Sequence, residues 1–288
     1  MIESIPGDRY DSPENIRSCL REYLMLGTRW SPYTKFFGVM FRCRALAVKG
    51  LYDDKSWSDS SLEVMAKLET CGARFHISGL DHVRALQGPA VFVANHMSTL
   101  ETTLLPGLIN PIRPCTYVVK EKLMKGFIWG PIMRSRDPIA VTRTDPRKDM
   151  DTVMTEGQRL LGSGRSIIIF PQGTRTDVFK RSGFNSLGVK LASRAGVPVV
   201  PVALKTDYWG NSPVFRGFGP VHRDRPVMLE FGAAIPVSGR GKAEHEACLN
   251  FIESRLRSWG AAVIQDDGEP ATAGKEDSRA PGSPRPEA

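Results

Sequence analysis

Ser166-Ile-Ile-Ile-Phe170, running straight into Pro171-Gln-Gly-Thr-Arg175, is the stretch on which the fold is decided. A strand without a charge and rich in isoleucine fits a position covered on both faces, as in a parallel sheet held between helical layers. Ala90–Ala94 (AVFVA) and Val199–Leu204 share that unbroken apolar character. Helix signals alternate with them. Asp145-Pro146 marks the entry of a helix reaching about Leu161, and a helix over about Asn185–Ala195 closes on Gly196. Ser60-Ser-Leu-Glu63 reads as a capping box that opens a helix ending near Cys71. Further strands are expected at Arg74–Ser78, Thr116–Val119, Ile139–Val141, Pro213–Phe218 and Val227–Phe231, and further helices at about Glu121–Met133 and Lys242–Trp259. The pattern predicts an α/β fold with a mostly parallel central sheet flanked by helices. Ligands of such sheets lie beyond the carboxyl ends of the strands, so the loops after Ala94 and Phe170 are where chemistry is sought.

Composition bounds the rest. The chain has 288 residues, 41% hydrophobic and 24% charged, which excludes global disorder and suits a globular core. Residues 1–57 form a basic, aromatic helical region, residues 58–260 the α/β domain, and residues 261–288 a tail expected to be disordered. From Gln265 onward the tail carries six acidic and three basic side chains, so the net +8 of the whole chain becomes +11 without it. The five cysteines are scattered with no C-x-x-C pair, which argues for free thiols in a reducing compartment and against a structural zinc site. No metal is expected. Phe36–Val48 (FFGVMFRCRALAV) is interrupted by Arg42 and Arg44 and is too short and too charged to span a bilayer. With Arg29, Lys35 and Lys49 nearby, it suits either an interfacial helix at an anionic membrane or a core helix with solvated charges.

The loop after AVFVA reads Asn95-His96-Met97-Ser98-Thr99-Leu100-Glu101. Five positions on one helix would set His96 and Glu101 about 140° apart. With His96 in the loop and Glu101 in the first helical turn, the two meet, and the carboxylate then fixes one tautomer of the imidazole and supports its positive charge. Such a pair suits a general base acting on a substrate hydroxyl. Ser98 is a weaker candidate nucleophile, since G-x-S-x-G is absent. In the second loop, Arg175 beyond Gly173 is placed to grip a phosphate with its planar fork.

NHMSTLE and FPQGTR together resemble the signature blocks of the glycerophospholipid acyltransferases, a His-x4-Asp block and a Phe-Pro-Glu-Gly-Thr-Arg block. Lys120–Arg143 (KEKLMKGFIWGPIMRSRDPIAVTR) and Val197–Val202 (VPVVPV) are similar to the family's two further blocks, and the resemblance covers roughly residues 72–235. It implies transfer of a fatty acyl group from a thioester to the free hydroxyl of lysophosphatidate or a related lysophospholipid, in phospholipid biosynthesis. His96 stands where the family has its general base, Glu101 where it usually has Asp, and Gln172 where it has Glu. Arg175, with Gly173 and Thr174, takes the place of the acceptor-phosphate loop; Lys120 and Arg143 are further phosphate-binding candidates, and Pro201 is read as structural. The oxyanion is expected to find backbone N–H groups near the His loop. No cofactor is implied beyond the thioester co-substrate, carried by coenzyme A or acyl carrier protein. The expected location is peripheral and monotopic, on the cytoplasmic face of a membrane, held by residues about 20–50 with help from Phe127-Ile-Trp129. Nucleic acid is not an expected partner, since no nucleic-acid module appears. Two alternatives stay open: a non-catalytic lipid-binding membrane protein with a degenerate site, suggested by Glu101 and Gln172, and a thioesterase or lipase with Ser98 as nucleophile.

Overall fold

Residues 5–16, 30–212 and 217–264 are described by the computed structural model of the chain. Its strands are β1 (Tyr10–Asp11), β2 (Phe75–Ser78), β3 (Val91–Ala94), β4 (Cys115–Lys120) and β5 (Ile139–Val141). β6 (Ser166–Ile169), β7 (Val178–Lys180), β8 (Val199–Lys205), β9 (Val227–Phe231) and β10 (Ala262–Ile264) follow. Eight of them form one sheet in the order β1-β2-β9-β8-β3-β6-β4-β5. β8, β3, β6, β4 and β5 run parallel to one another; β9 lies antiparallel to β8, and β1 antiparallel to β2.

The helices are α1 (Trp30–Val48), α2 (Asp54–Glu69), α3 (Leu80–Arg84), α4 (Leu100–Ile109), α5 (Glu121–Met124) and α6 (Trp129–Arg134). α7 (Pro146–Gly162), α8 (Leu187–Ala195) and α9 (Lys242–Ser258) complete them. The two-residue period of a strand sends alternate side chains to opposite layers. Phe92, Ala94 and Ile168 pack with α1, α2 and α4, whereas Val91, Val93, Ile167 and Ile169 pack with α7, α8 and α9. This double cover is why β3 is apolar at every position and β6 from Ile167 to Ile169, while the buried Ser166 hydroxyl accepts from Ala90 N at 3.2 Å; each buried Ile or Val stabilises by about 1.5–3 kcal/mol. Pro201, in the buried strand β8, pairs in register with Val93.

Local rules account for the helix ends. Asp145 accepts from the backbone N–H groups of Arg147 and Lys148, both at 3.1 Å, with Pro146 at the first helical position. Gly196 ends α8 at φ 66°, a left-handed conformation open to glycine at little cost. α1 buries Tyr33, Phe36, Val39, Met40 and Cys43, and Phe36 meets Trp209 edge-on at 4.9 Å, so the N-terminal helix is part of the same core as the sheet.

Several expectations are corrected. α2 starts at Asp54, capped by Asp53, which accepts from Ser56 N at 2.8 Å; the Ser60–Glu63 capping box lies inside the helix, where Ser60 bonds the carbonyl of Trp57 instead. The helix expected over Glu121–Met133 is two short helices. Pro131 has no N–H to give the carbonyl of Phe127, which accepts from Arg44 Nε at 3.0 Å. Residues 262–264 belong to β10, paired in parallel with β7, because Val263 buries among the side chains under α9. The tail from 265, Cys19 and residues 213–216 of the strand expected at Pro213–Phe218 lie outside the described residues; Phe218 itself sits in a loop. Cys43, Cys71, Cys115 and Cys248 are buried free thiols, and burial pushes the Cys248 thiol up to about 12.

Candidate active site

β3 ends at Ala94, and the chain leaves the sheet through Asn95. Its side chain exchanges hydrogen bonds with Leu204, donating to the carbonyl at 2.7 Å and accepting from the amide at 2.8 Å. That fastens the loop to β8 before His96 is reached. The His96 amide donates to Gln172 Oε1 at 2.7 Å, and its carbonyl accepts from Thr176 N at 3.0 Å. The two signature loops are therefore bonded together at His96. Gln172 acts as a loop clamp here, a contact that does not require the negative charge of the Glu usual in the resembled family.

The imidazole stacks on Phe170 with ring centroids 4.3 Å apart and 21° between planes, and Phe170 in turn stacks on Tyr117 at 6.0 Å. His96 Nδ1 lies 2.9 Å from Glu101 Oε1. Glu101 is fully buried in the first turn of α4. The same Oε1 accepts from the amides of Met97 (2.7 Å) and Ser98 (2.8 Å), and Oε2 accepts from Thr206 Oγ1 at 2.5 Å, with Ser98 Oγ 2.9 Å away. Burial works to raise the Glu101 carboxyl; the hydrogen bond and charge of His96, then Thr206 and the backbone donors, hold it below the usual carboxylate range. An ionised carboxylate only accepts, so Nδ1 carries the hydrogen and Nε2 presents its lone pair outward. The extra methylene of Glu relative to Asp is absorbed by reaching back over the helix start to the amides of Met97 and Ser98.

Two expectations change with this geometry. Ser98 is 1% exposed, and its hydroxyl is engaged with Glu101 and Thr206 Oγ1 (2.8 Å), which leaves it facing the core and not a substrate. The amides of His96, Met97 and Ser98 are all occupied by Gln172 and Glu101, so these three do not supply the expected oxyanion donors.

A cleft of about 1240 Å³ opens over the carboxyl ends of β3, β4 and β6. His96, Lys120, Arg143, Gly173, Thr174 and Arg175 all line it, so every candidate but Glu101, which stands behind His96, reaches one space. Arg175 Nη1 donates to Thr99 Oγ1, and Thr99 Oγ1 donates to the carbonyl of Gly217 at 3.2 Å. Burial lowers the Arg175 pKa and Glu101 opposes that effect, while among the described residues no carboxylate pairs with its guanidinium. A half-buried, unneutralised Arg is a strong point of attraction for an anion. Gly173 adopts φ 69°, and the Arg143 guanidinium lies against it, 3.4 Å from where a Cβ would stand. Sequence reading missed Thr99 and Thr206. Thr99 lies inside the NHMSTLE block but is given no role by it, and Thr206 stands in no recognisable motif, although it directly follows strand β8 at the carboxyl end of the sheet.

Above its carboxyl edge the mostly parallel α/β sheet thus holds a buried carboxylate–histidine pair and an arginine without a carboxylate partner among the described residues, in one cleft. A family model described as Acyltransferase matches residues 74–205. A 1-acyl-sn-glycerol-3-phosphate acyltransferase of Pseudomonas aeruginosa is 32% identical over 68% of this chain and 70% of its own length. The human 1-acyl-sn-glycerol-3-phosphate acyltransferase beta is 26% identical over 70% of this chain and 71% of its own. The crystal structure of the 1-acyl-sn-glycerophosphate (LPA) acyltransferase PlsC from Thermotoga maritima superposes with a TM-score of 0.60 at 20% identity, covering 84% of this chain and 97% of that one, a likeness of fold. The chain belongs to the glycerophospholipid acyltransferase family and is an O-acyltransferase of the 1-acylglycerol-3-phosphate type.

Proposed function

We propose that the protein transfers a fatty acyl group from an acyl thioester to the free hydroxyl of lysophosphatidate or a closely related lysophospholipid, in phospholipid biosynthesis, with His96 as general base. The observation that carries the reading is the buried Glu101 carboxylate 2.9 Å from His96 in a cleft that also holds Arg175. The acceptor hydroxyl gives its proton to Nε2 as its oxygen attacks the thioester carbonyl carbon. The tetrahedral intermediate collapses with cleavage of the C–S bond, and Nε2 returns the proton to the departing thiolate. Glu101 holds the ring and offsets the imidazolium charge between those steps. Arg175 binds the acceptor phosphate, with Gly173 and Thr174 shaping the loop and Lys120 and Arg143 adding positive charge at the rim. Coenzyme A or acyl carrier protein delivers the thioester, and no metal or further cofactor takes part.

Glu101 also ties the site to pH. Its folded-state pKa is depressed, so the stability it contributes is fully present above the ordinary glutamate value of about 4.3 and is lost as pH falls through the folded value. Urea unfolding of wild type at pH 7 and pH 3 should therefore show a larger acid loss than unfolding of Glu101→Gln, which has no proton to take up there. Equal losses in the two proteins mean that Glu101 is not ionised inside the fold.

The membrane reading rests on apolar groups left in solvent. Trp30, Phe41, Val48, Leu51 and Phe127 are exposed, and the Arg44 guanidinium lies over the Phe127 ring at 4.0 Å. Of the basic residues near α1, Arg42 pairs with Glu63 and Lys35 donates to Thr70 at 2.7 Å. Trp129 packs against the core, so of Phe127-Ile-Trp129 it is Phe127 that projects. No helix among the described residues is long and apolar enough to cross a membrane. The chain then sits peripherally, with this patch in the headgroup layer of an anionic cytoplasmic leaflet, where lysolipid and acyl chains reside. Phe41→Glu combined with Phe127→Glu should weaken cosedimentation with anionic vesicles by about tenfold or more. Unchanged binding assigns the contact elsewhere.

A further inference from the structure

The cleft around His96 has walls from both layers of the molecule. On one side it is lined by Met40, Trp57, Tyr117 and Ile132, which belong to the core between the sheet and α1, α2 and α4. On the other side it reaches Met150 of α7 and Ser186, Leu187 and Lys190 at and along α8, in the layer on the opposite face of the sheet. His96 and Phe170, at the ends of the central strands β3 and β6, stand between the two arms.

We propose that this second arm takes the carrier end of the acyl donor, a phosphopantetheine, with Lys190 binding its phosphate; the assignment rests on thioester transfer being the function. A thioester carbonyl has two substituents of opposite character. One is a hydrocarbon chain, and the other is a thread of two amides and a dimethyl group that ends in a phosphate. When the carbonyl carbon lies at His96 Nε2, the two ends leave in different directions. The arms differ in the same sense. The α1–α2 side presents Met40 and Trp57, and its Ser60 and Ser61 hydroxyls are spent on the Trp57 carbonyl. The α7–α8 side pairs the side chains of Met150, 42% exposed, and Leu187 with the Ser186 hydroxyl and the Lys190 ammonium. Neither of those two polar groups has a side-chain hydrogen bond or ion pair to another described residue, so both are available to a ligand. Asn185 holds this arm to the signature loop, donating from Nδ2 to the carbonyl of Pro171 and accepting from Leu187 N at 3.0 Å. Arm and catalytic loop are therefore one built unit.

The test is steady-state kinetics of the full chain with three palmitoyl donors: palmitoyl-coenzyme A, palmitoyl-acyl carrier protein, and S-palmitoyl-pantetheine, which lacks the phosphate. Lys190→Glu should raise the donor KM about tenfold for the phosphate-bearing carrier that wild type uses, and the difference should vanish with S-palmitoyl-pantetheine. Met150→Trp, which fills the arm, should raise the KM for all three donors. Neither change should move the KM for lysophosphatidate. The carrier with the lower wild-type KM identifies the source of the phosphopantetheine. The arm is misassigned if Lys190→Glu leaves the KM of both carriers unchanged, if it weakens S-palmitoyl-pantetheine equally, or if Met150→Trp raises the acceptor KM instead. A wild type that accepts none of the thioesters overturns the functional reading and this one with it. A wild type that turns over alongside unaffected variants overturns this one alone.

Discussion

His96→Ala should lower kcat for acyl transfer to lysophosphatidate by about a thousandfold, within the range of about 10²–10⁴ that a positioned general base supplies. The expectation follows from how tightly the geometry restricts the ring. Phe170 fixes its plane, Gln172 and Thr176 fix its backbone, and Glu101 fixes its tautomer, so Nε2 is the ring nitrogen left for a ligand of the cleft. Alanine removes the acceptor of the hydroxyl proton and leaves Glu101 with its remaining donors, Met97 N, Ser98 N and Thr206. The fold should survive, because most of the carboxylate's partners remain. Thermal unfolding of the variant checks that point. A kcat within tenfold of wild type would sink the general-base assignment.

Arg175→Ala should raise the KM for lysophosphatidate by about a hundredfold, since a charge-assisted contact to phosphate is worth about 1.5–3 kcal/mol and the site stays partly dry. Thr99 already holds one guanidinium nitrogen, so the fork is aimed before substrate arrives. Arg175→Lys should recover little, because an ammonium cannot contact Thr99 and a phosphate in the same plane. The donor KM is the control and should not move. A variant whose loss falls equally on a monoacylglycerol acceptor, which has no phosphate, would place Arg175 outside the headgroup site.

The parts of this molecule that were legible in the sequence are those where one physical requirement dominates. β3, β6 and β8 are buried on both faces, so they carry unbroken apolar runs, Val91–Ala94, Ile167–Ile169 and Val199–Leu204, with Ser166 and Lys205 only at strand ends. The meeting of His96 with Glu101 followed from strand-then-helix reasoning about a loop of known position. Other features carried competing signals. Ser60 reads as a helix cap, yet the helix starts at Asp54 behind Asp53, and its first turn is bonded by Asn110, whose Nδ2 donates to the carbonyl of Asp54 at 2.8 Å and to Ser58 Oγ at 3.0 Å, contacts made 52 to 56 positions away that no local pattern signals. β7 and β10 are three residues each and pair across the chain, with no period long enough to read. Thr206 reaches Glu101 over 105 positions through a single hydroxyl, and a short polar side chain after a strand has no signature of its own.

The same hydroxyl explains why a Glu serves where Asp is usual. Both carboxylate oxygens are satisfied, one by His96 and two amides, the other by Thr206 and Ser98. An Asp at the same backbone position would place its carboxylate one methylene short of these partners. Glu101 and Gln172, which from sequence alone suggested decay of the site, each make specific contacts to His96.

Release of the thiol from palmitoyl-coenzyme A, followed with and without lysophosphatidate, tests the central claim most directly. In the proposed reaction the acceptor hydroxyl attacks the thioester itself, with no acyl group resting on the protein. Thiol should therefore appear only when lysophosphatidate is present, in step with phosphatidate formation, and the intact protein should keep its mass without acceptor. A burst of thiol in the absence of acceptor, one equivalent per chain with a matching gain of mass, would contradict it.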